Sequence, residues 1–598
     1  MNKAVYQSFE ASSEPDKGPE RLIMLRDRMR KSGVDAFLIP RADVHQGEYV
    51  APADERLAWL TGFTGSAGLC AVTQDAAGVF VDGRYRVQVK EQTRTPFTPV
   101  DWPEVQLGDW LKDNLASGIV GFDPWLHSAR EINSLEQDLR GTNITVQAVD
   151  NLIDPIWRDR PAPPMGLARV FEDHLSGETH TAKRTRLAAE LKSAGHAAAF
   201  ISLPDSICWL LNIRGQDVAH NPVVHGFAVL HDDARVDLFM HAQKAQDIRA
   251  HLGNEVTLRD PDELFDYVSS FQGSMRLDAG TVPYAISHAL SDNAILSTDP
   301  VSLPKACKNA TELNSARESH LRDAATMCRF LAWLDAEPHG TLTEIDAATQ
   351  LEEIRRQDPL MDEISFDTIS AAGPHAALPH YRVTTDSNRT LNAGEVYLVD
   401  SGAQYQDGTT DITRTLAIGD QSDAVMRAFT RVLKGMIAIS RLRFPHGISG
   451  RDIDAFARAA LWSAGQDYQH GTGHGVGHVL SVHEGPQNLS RRSTLPFEPG
   501  MILSNEPGFY REGHFGVRTE NLLIVVPAPD QPDGNLTNLL EFETLTYVPI
   551  DRRMVLRDML NSDEIEWLNS YHQTCRDKIH PRLTAAEQVW LLDATQPL

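Results

Sequence analysis

Carboxylate and histidine side chains with the chemistry of metal ligands are spread along residues 400–520. Asp400 ends the apolar stretch at 396–399, where a charge is costly unless it is paired or bound to a metal. Asp411 follows eleven residues later, after the turn signal Asp407-Gly408. Taken alone, the pair is also compatible with a carboxylate that caps a turn and another that is solvated.

The spacing of the two aspartates predicts a hairpin. Their separation is odd, so a hairpin with an even number of loop residues would place Asp400 and Asp411 directly opposite each other. That loop would be centred on Tyr405 and Gln406, shortly before the Asp-Gly turn signal. We therefore expect a β-bulge in this hairpin.

Four histidines fall within residues 470–483. His470 and His474 have the spacing of a helical zinc site. Glycine at every second position from 471 to 477 argues against a helix, because glycine is unfavourable in helix interiors. Glycine also lets the backbone approach a ligand closely. We expect an irregular or extended segment, and on this pattern alone it could be structural or ligand-binding.

Two glutamates stand at the ends of apolar stretches that we interpret as strands, at 501–503 and 522–526. Glu506 follows the first stretch and Glu520 precedes the second. Arg518 lies two residues before Glu520, so on a strand the two side chains share a face. Either glutamate alone could simply mark the rim of a sheet.

In combination, two aspartates, one histidine and two glutamates form an oxygen-rich ligand set. Such a set suits a pair of divalent ions such as manganese, with cobalt or zinc as substitutes. Four carboxylates gathered without cations would repel one another. Two-metal sites are used for hydrolysis. The sequence therefore predicts a two-metal hydrolase with the ligands Asp400, Asp411, His474, Glu506 and Glu520.

The elements that must position these ligands form an α+β segment beginning near residue 309. Asn309 is a predicted helix cap with Glu312 as its capping-box partner. Ser422 and Ser449 are predicted to open two further helices, the second ending at Gly465. Their predicted apolar faces are Leu321, Ala324, Cys328 and Leu331 in the first helix, Val425, Phe429, Val432 and Met436 in the second, and Ile453, Phe456 and Ala460 in the third.

A diverged repeat precedes this segment. Residues 25–39 and 187–201 share a helical pattern, then a glycine (Gly33 or Gly195), then an apolar run. A Trp-Leu step follows each copy. Alternation of helix and strand in both copies predicts two related α/β domains.

Proline-rich residues 160–164 predict a linker, because proline fixes φ and removes a hydrogen-bond donor. A second, weaker boundary lies near residues 304–308. We therefore expect domains at 1–160, 161–308 and 309–598.

Bulk composition narrows the class of protein. The 598 residues carry a net charge of −26, which disfavours a nucleic-acid partner. Five scattered cysteines without a C-x-x-C pair disfavour a disulfide framework or a thiolate zinc site. No signal peptide is predicted at the amino terminus. No membrane span is predicted either, because the sequence has no run of 18 apolar residues. We expect a cytoplasmic enzyme without a membrane partner.

The stretches DSGAQYQDGTTDITRT, HGTGHGVG, VHEGP, NEPGFY and VRTEN resemble the pita-bread metallopeptidases. HQGEYVAPADERLAWLTGFTGSAG, WLLNIRGQDVAHNP and WLNSYHQTCRDKI resemble the three-domain cytosolic Xaa-Pro aminopeptidases of that family. The resemblance covers nearly the whole chain. It implies a pair of creatinase-like α/β domains followed by an α+β catalytic domain of pita-bread fold.

The resemblance also assigns roles to the five ligands. Asp400 would bind one metal with both oxygens, and Asp411 would bridge the two metals. His474 and Glu506 would bind the same metal, and Glu520 would be the second bridging carboxylate.

Four other residues match the family's active-site residues. His380, in LPHY, and His483, in VHEGP, match histidines that are not ligands, and His470 matches a histidine of the substrate pocket. Arg518 would orient a bridging carboxylate.

The implied activity is removal of the amino-terminal residue from peptides with proline in the second position. A hydroxide bridging the metals would attack the carbonyl carbon, and Glu506 would carry the proton. His380 or His483 would donate a hydrogen bond to the oxyanion, or hold the proline end. The family also implies a homodimer. Two alternatives stay open: a prolidase that cleaves only Xaa-Pro dipeptides, and a metal-free peptide-binding protein of the same fold.

Overall fold

The computed structural model describes residues 4–530, 532 and 534–598. Residues 1–3, which begin the amino-terminal stretch without a predicted signal peptide, lie outside the described residues. The chain forms two compact units: Ser12–Ser302, and residues 4–11 together with Leu303–Leu598. Among the described residues, no helix is both long and apolar enough to cross a membrane. The domain boundaries at 160 and 308 stay a prediction.

The first unit alternates strands and helices. Its strands are β1 (Ala36–Pro40), β2 (Leu69–Thr73), β3 (Ala77–Val81), β4 (Phe97–Asp101), β5 (Gly118–Phe122), β6 (Ile144–Ala148), β7 (Arg169–Val170), β8 (Ala198–Ile201), β9 (Ile213–Arg214), β10 (Phe227–His231), β11 (Val236–Phe239), β12 (Val256–Arg259), β13 (Met275–Leu277) and β14 (Ala294–Leu296). Its α-helices are α1 (Gly18–Ser32), α2 (Arg56–Thr61), α3 (Gln88–Gln92), α4 (Leu107–Asn114), α5 (Ala129–Asp138), α6 (Asp173–Ser176), α7 (His180–Ser193), α8 (Pro204–Leu211), α9 (Arg249–Leu252), α10 (Leu264–Ser269) and α11 (Tyr284–Leu290).

The strands form two mixed sheets with the same topology. The first has the order β4-β3-β2-β1-β5-β6 and the second the order β12-β11-β10-β8-β13-β14. Each sheet has five strand pairings. In the order given, the second and third pairings are antiparallel and the other three are parallel. The prediction of two related α/β domains is confirmed.

The repeated helix–glycine–strand pattern explains why both copies begin alike. α1 and α7 each end before a glycine in the left-handed region, with φ of 69° at Gly33 and 74° at Gly195. A residue with a side chain is strained at such a φ, whereas glycine reverses the chain without that cost. The chain then enters the buried central strands β1 and β8.

The second unit contains the predicted ligands. Its strands are β15 (Met361–Ile364), β16 (Ile369–Ala372), β17 (Glu395–Ser401), β18 (Ala403–Tyr405), β19 (Gly408–Thr409), β20 (Ile412–Ile418), β21 (Arg443–Pro445), β22 (Gly473–His474), β23 (Asn488–Leu489), β24 (Ile502–Asn505), β25 (Gly508–Arg511), β26 (Phe515–Arg518), β27 (Asn521–Pro527) and β28 (Leu539–Thr544). Its α-helices are α12 (Ser302–Ala306, which begins at the last residue of the first unit), α13 (Ala310–Ala336), α14 (Glu344–Arg355), α15 (Asp423–Ser440), α16 (Gly450–Trp462), α17 (Ser562–Ile579) and α18 (Ala585–Ala594).

The sheet β16-β17-β20 is covered on both faces by helices. Leu398 packs in one apolar cluster with side chains of α15 and α17. Its neighbours Tyr397 and Val399 pack in a second cluster with side chains of α13 and α14. Because successive side chains of a strand point to opposite faces, β17 is buried on both faces from Val396 to Ser401. Asp400 therefore lies in a buried strand, one residue before its end.

The predicted helix caps are confirmed. Asn309 caps α13 in a capping box with Glu312. Ser422 caps α15, and Ser449 caps α16 in a capping box with Asp452. The apolar positions predicted for α13 and α15 are buried, apart from the partly buried Leu321.

The predicted apolar face of α16 is wrong at two of three positions. Phe456 is 50% exposed and Ala460 is only partly buried. The buried face contains Ile453 as predicted, and continues with Ala457 and Leu461, each one residue after the predicted position. The reason is that α16 packs closely against α15. The small side chain of Ala457 allows this contact, whereas the aromatic side chain of Phe456 would not.

The predicted end of α16 is nearly correct. The helix ends at Trp462, and Gly465 follows with φ of 67° while its N–H donates to the carbonyl oxygen of Trp462. The three predicted strands are also confirmed as β17, β24 and β27, with shifts of one or two residues at their ends.

Candidate metal centre

The two aspartates lie on a hairpin whose register differs from the predicted one. β17 and β20 pair with Thr413 opposite Asp400, and the same register continues through β18 and β19. The turn is therefore Gln406-Asp407, and the described residues 395–418 form this hairpin without the expected bulge. The predicted direct pairing with Asp411 is wrong, because the turn is centred one residue further along. Asp411 still shares a face with Asp400, since it lies two residues before Thr413.

His474 lies in a short extended segment, as the alternating glycines predicted. β22 pairs with β23, and a Cβ on Gly473 would lie 1.9 Å from a carbonyl oxygen of β24. The imidazole Nδ1 lies 3.0 Å from the carbonyl oxygen of Gly475. Nε2 is directed towards two carboxylates, at 3.4 Å from Asp411 Oδ2 and 3.5 Å from Glu506 Oε1. The ring is thus oriented with one nitrogen facing the candidate site.

Backbone and hydroxyl groups fix the two glutamates. Glu506 directly follows β24; its N–H donates to the carbonyl oxygen of Thr472 at 2.8 Å, and the Ser504 hydroxyl donates to its Oε1 at 3.1 Å. Glu520 directly precedes β27 and is 1% exposed. Its N–H donates to the carbonyl oxygen of Thr413 at 3.1 Å, and the hydroxyl of Thr413 donates to its Oε2 at 2.8 Å.

These elements bring the predicted ligands together. Ligand atoms of Asp411, His474 and Glu520 all lie within 4.8 Å of one another. Asp400 Oδ1, Asp411 Oδ1 and Glu520 Oε1 are buried and accept no hydrogen bond from the part of the chain that the structure describes. Such oxygens are costly to bury without a partner. A divalent cation would satisfy them, so the residues fit the metal ions that the sequence predicts.

The concentration of negative charge shifts the pKa values of the site. Burial, together with the charge of Asp400, raises the pKa of Asp411 to about 6. Burial and the charges of Asp411 and Asp400 hold the pKa of Glu520 well above its usual range. Burial opposes protonation of His474, but Asp411 and Glu506 outweigh it and raise its pKa to about 9. A cation in the site would take the place of these protons.

Arg518 connects the carboxylates to one another. Its Nη2 donates to Asp400 Oδ2 at 2.7 Å, and its Nε donates to the hydroxyl of Thr413 at 3.1 Å. That hydroxyl in turn donates to Glu520. The resemblance implied a bridging carboxylate as the partner of Arg518. In the structure the direct partner is Asp400, and Glu520 is reached only through Thr413.

The three histidines predicted as non-ligand site residues lie in two separate places, His380 with His483 in one and His470 in the other. The ring of His483 lies 4.1 Å from that of His474 and 6.4 Å from that of His380, measured between centroids. His470 is held by another contact, since its Nε2 lies 2.9 Å from the hydroxyl of Tyr510. His483 therefore lies beside the candidate ligand His474, and His380 lies near His483.

Tyr510 is a site residue that the sequence patterns did not single out. Its hydroxyl accepts a hydrogen bond from Arg518 Nη1 at 2.7 Å and contacts His470. Burial raises its pKa to about 12, so the hydroxyl keeps its proton at neutral pH. Strand alternation would not have found it, because Glu506 and Pro507 lie between β24 and β25, the strand that contains Tyr510.

Glu484 was also missed, although it adjoins His483. Its carboxylate is buried, and Oε1 lies 2.9 Å from Nζ of the buried Lys305. Its N–H donates to the carbonyl oxygen of Gly475 at 2.8 Å, and a Cβ on Gly477 would lie 2.4 Å from Oε2. The glycines thus make room for a buried ion pair beneath the histidine loop.

Protein-family models match the chain in four stretches. The model described as metallopeptidase family M24 matches residues 314–527, which contain every predicted ligand. The creatinase/prolidase N-terminal domain matches residues 21–156 and 159–312, and the C-terminal region of peptidase M24 matches residues 538–598. Aminopeptidase P2 of Arabidopsis thaliana is 38% identical over 95% of this chain and 86% of its own length. The chain belongs to the aminopeptidase P group of metallopeptidase family M24.

Two solved structures relate this M24 peptidase to its family. An X-prolyl aminopeptidase from Caenorhabditis elegans, described as a cytosolic enzyme with a di-nuclear active site, superposes with a TM-score of 0.94. It is 34% identical, and the match covers 97% of this chain and 100% of that one. An Xaa-Pro dipeptidase from Bacillus anthracis has a TM-score of 0.50 and 25% identity, over 62% of this chain and 99% of that one.

These matches confirm the predicted fold class. The M24 peptidase has two creatinase-like α/β domains followed by a catalytic domain of pita-bread fold. It is a metal-dependent peptidase by family.

Proposed function

We propose that this M24 peptidase removes the amino-terminal residue from peptides whose second residue is proline. The proposal rests on the convergence of Asp411, His474 and Glu520 around buried carboxylate oxygens that lack hydrogen-bond partners among the described residues. It is supported by the similarity to an X-prolyl aminopeptidase along 97% of the chain.

We propose that Asp400, Asp411, His474, Glu506 and Glu520 hold two divalent ions. The C. elegans relative is described as having a di-nuclear active site. One imidazole among four carboxylates favours manganese, with cobalt or zinc as substitutes. When bound, such ions polarise a peptide carbonyl and activate water for hydrolysis.

Glu506 is the proposed proton carrier between the attacking water and the leaving proline nitrogen. Its side chain is 18% accessible, whereas the side chain of Asp411 is 4% accessible, so Glu506 can meet substrate. The Ser504 hydroxyl holds Oε1 in place. His483 lies beside His474, and His380 lies near His483. One or both would donate a hydrogen bond to the carbonyl oxygen as negative charge develops on it.

The chemistry of the substrate agrees with this centre. The amide before proline has no N–H, so the site needs no acceptor there and can be apolar around the ring. The free amino group of the peptide is a cation and would be attracted by the carboxylates. His470, held by Tyr510, is proposed to line the substrate pocket.

A comparison of three peptides tests this function. We expect purified protein with manganese to release alanine from Ala-Pro-Ala and to leave Ala-Ala-Ala uncut. Cleavage of the dipeptide Ala-Pro alone would identify a prolidase instead. The B. anthracis dipeptidase matches only 62% of this chain, which favours the aminopeptidase.

A metal-free peptide-binding protein is the alternative from a different class. It is disfavoured because all five predicted ligand positions carry residues that can bind metal. Metal analysis decides between them: fewer than one bound ion per chain, with no activity after manganese is added, would favour the binding role.

We further propose a cytoplasmic homodimer with domains at 1–160, 161–308 and 309–598. The description of the C. elegans relative as cytosolic supports the location. The junctions between family models, at 156–159 and 312–314, support the domain division. Light scattering during size-exclusion chromatography should give twice the chain mass; a monomer mass would refute the dimer.

A further inference from the structure

A second buried carboxylate, Glu344, lies outside the proposed ligand set. It is the first residue of α14 and is 0% exposed. Burying an ionised carboxylate is costly unless hydrogen bonds compensate. The amino-terminal end of a helix supplies part of this compensation through its partial positive charge.

Four donors satisfy the carboxylate of Glu344, and all come from one stretch of chain. The N–H of Ala372 and Nδ1 of His375 lie 2.7 and 2.8 Å from Oε1. The hydroxyl of Tyr381 and the N–H of Arg389 each lie 3.2 Å from Oε2. The side chain of Glu344 thus binds residues 372–389 through four hydrogen bonds.

That stretch contains His380, between two of the fastened residues. The rings of His375 and Tyr381 pack at 4.4 Å between centroids. The hydroxyl of Tyr381 also lies 2.8 Å from the hydroxyl of Ser387, which can donate to it. The stretch is held on both sides of His380, whose ring then lies 6.4 Å from that of His483.

We infer that Glu344 is a positioning residue that sets the place of His380 in the active site. The inference rests on the proposed function, in which His380 contacts the substrate carbonyl. The carboxylate of Glu344 bonds to residues 372–389 and would act through them. A shift of about 1 Å in a catalytic group can cost roughly 10²-fold in rate.

Glu344→Gln tests this inference, because glutamine keeps the shape but turns one acceptor into a donor that faces other donors. We expect kcat/KM for Ala-Pro-Ala to fall roughly 10- to 100-fold with unchanged metal content. Glu353→Gln on the same helix is the matched control and should leave kcat/KM unchanged. In a His380→Ala background, Glu344→Gln should cause no further loss, since both changes remove the same contribution.

Equal losses from Glu344→Gln in the wild-type and His380→Ala backgrounds would overturn the inference, as would unchanged kcat/KM.

Hydrogen exchange gives a readout independent of turnover. Peptides from 372–389 should exchange faster in Glu344→Gln, while peptides from α15 should not change. If the wild-type protein cleaves no Xaa-Pro peptide, the proposed function fails, and unchanged exchange at 372–389 would separately refute the anchoring. Should Glu344→Gln not fold, Tyr381→Phe removes one donor and should speed exchange in the same stretch; no change would refute the anchoring.

Discussion

Glu506 differs from the other carboxylates of the centre in its access to solvent. The side chains of Asp400 and Asp411 are 11% and 4% accessible, and Glu520 is 1% exposed, whereas Glu506 reaches 18%. A group that carries a proton between water and substrate must touch both. The more buried carboxylates are better placed to hold ions than to exchange protons with solvent.

Glu506→Gln should lower kcat for Ala-Pro-Ala by roughly 10²–10⁴-fold, because the amide cannot take up the proton. The exposed Glu512→Gln is the control and should keep the wild-type rate. Metal content separates two explanations: a slow enzyme with two ions has lost the proton carrier, and a slow enzyme with fewer ions has lost a ligand. A normal rate in Glu506→Gln would rule out the proposed role.

At the scale of elements, two packed helices support the loops that carry the ligands. Asn505, next to Glu506, donates through Nδ2 to the carbonyl oxygen of Met436 in α15 at 2.9 Å. Asp454 of α16 accepts a hydrogen bond from the Thr472 hydroxyl at 2.6 Å, two residues before His474. Displacement of either helix would therefore move a ligand.

Close contact between the two helices depends on Gly435. A Cβ at this position would lie 2.1 Å from the carbonyl oxygen of Ala457. Alanine favours a helix over glycine by about 1 kcal/mol, but overpacking against backbone costs about 1–3 kcal/mol. We expect Gly435→Ala to lower the free energy of unfolding and the melting temperature. Ala424→Ser, exposed on the same helix, should change the melting temperature little; an increase in Gly435→Ala would contradict the close packing.

At the scale of the whole molecule, metal binding and stability should be coupled. Asp411, Glu506 and Glu520 converge on His474, and the charge of Asp400 acts on the same site. The mutual repulsion of these carboxylates is relieved by protons or by cations. An ion that binds only the folded state adds about 2.7 kcal/mol of stability at 100 times its dissociation constant.

Dialysis against a strong chelator should abolish turnover and lower the melting temperature, and manganese should restore both. His474→Ala and Asp400→Ala should bind less metal and show little manganese-dependent rise in melting temperature. Full activity after exhaustive chelation would count against a metal mechanism. A melting temperature that manganese does not change in the wild-type protein would show that the site does not couple to folding.

Structural features that depend only on a few neighbouring residues could be predicted from the sequence. The capping boxes at Asn309 and Ser449, the glycine stops at Gly33 and Gly195 and the extended segment around His474 follow from local preferences of the backbone. The ligand types followed from their chemistry, and the family resemblance supplied their grouping.

Only the tertiary structure decided which distant groups meet. Arg518 donates a hydrogen bond to Asp400, which is 118 residues away in sequence, and Tyr510 contacts His470, which is 40 residues away. Glu344 accepts hydrogen bonds from donors up to 45 residues away. The hairpin register and the buried face of α16 were likewise mispredicted from sequence. In each case the outcome depends on packing between separate segments, since local spacing fixes only the direction of a side chain and its partner is fixed by what the fold brings opposite it.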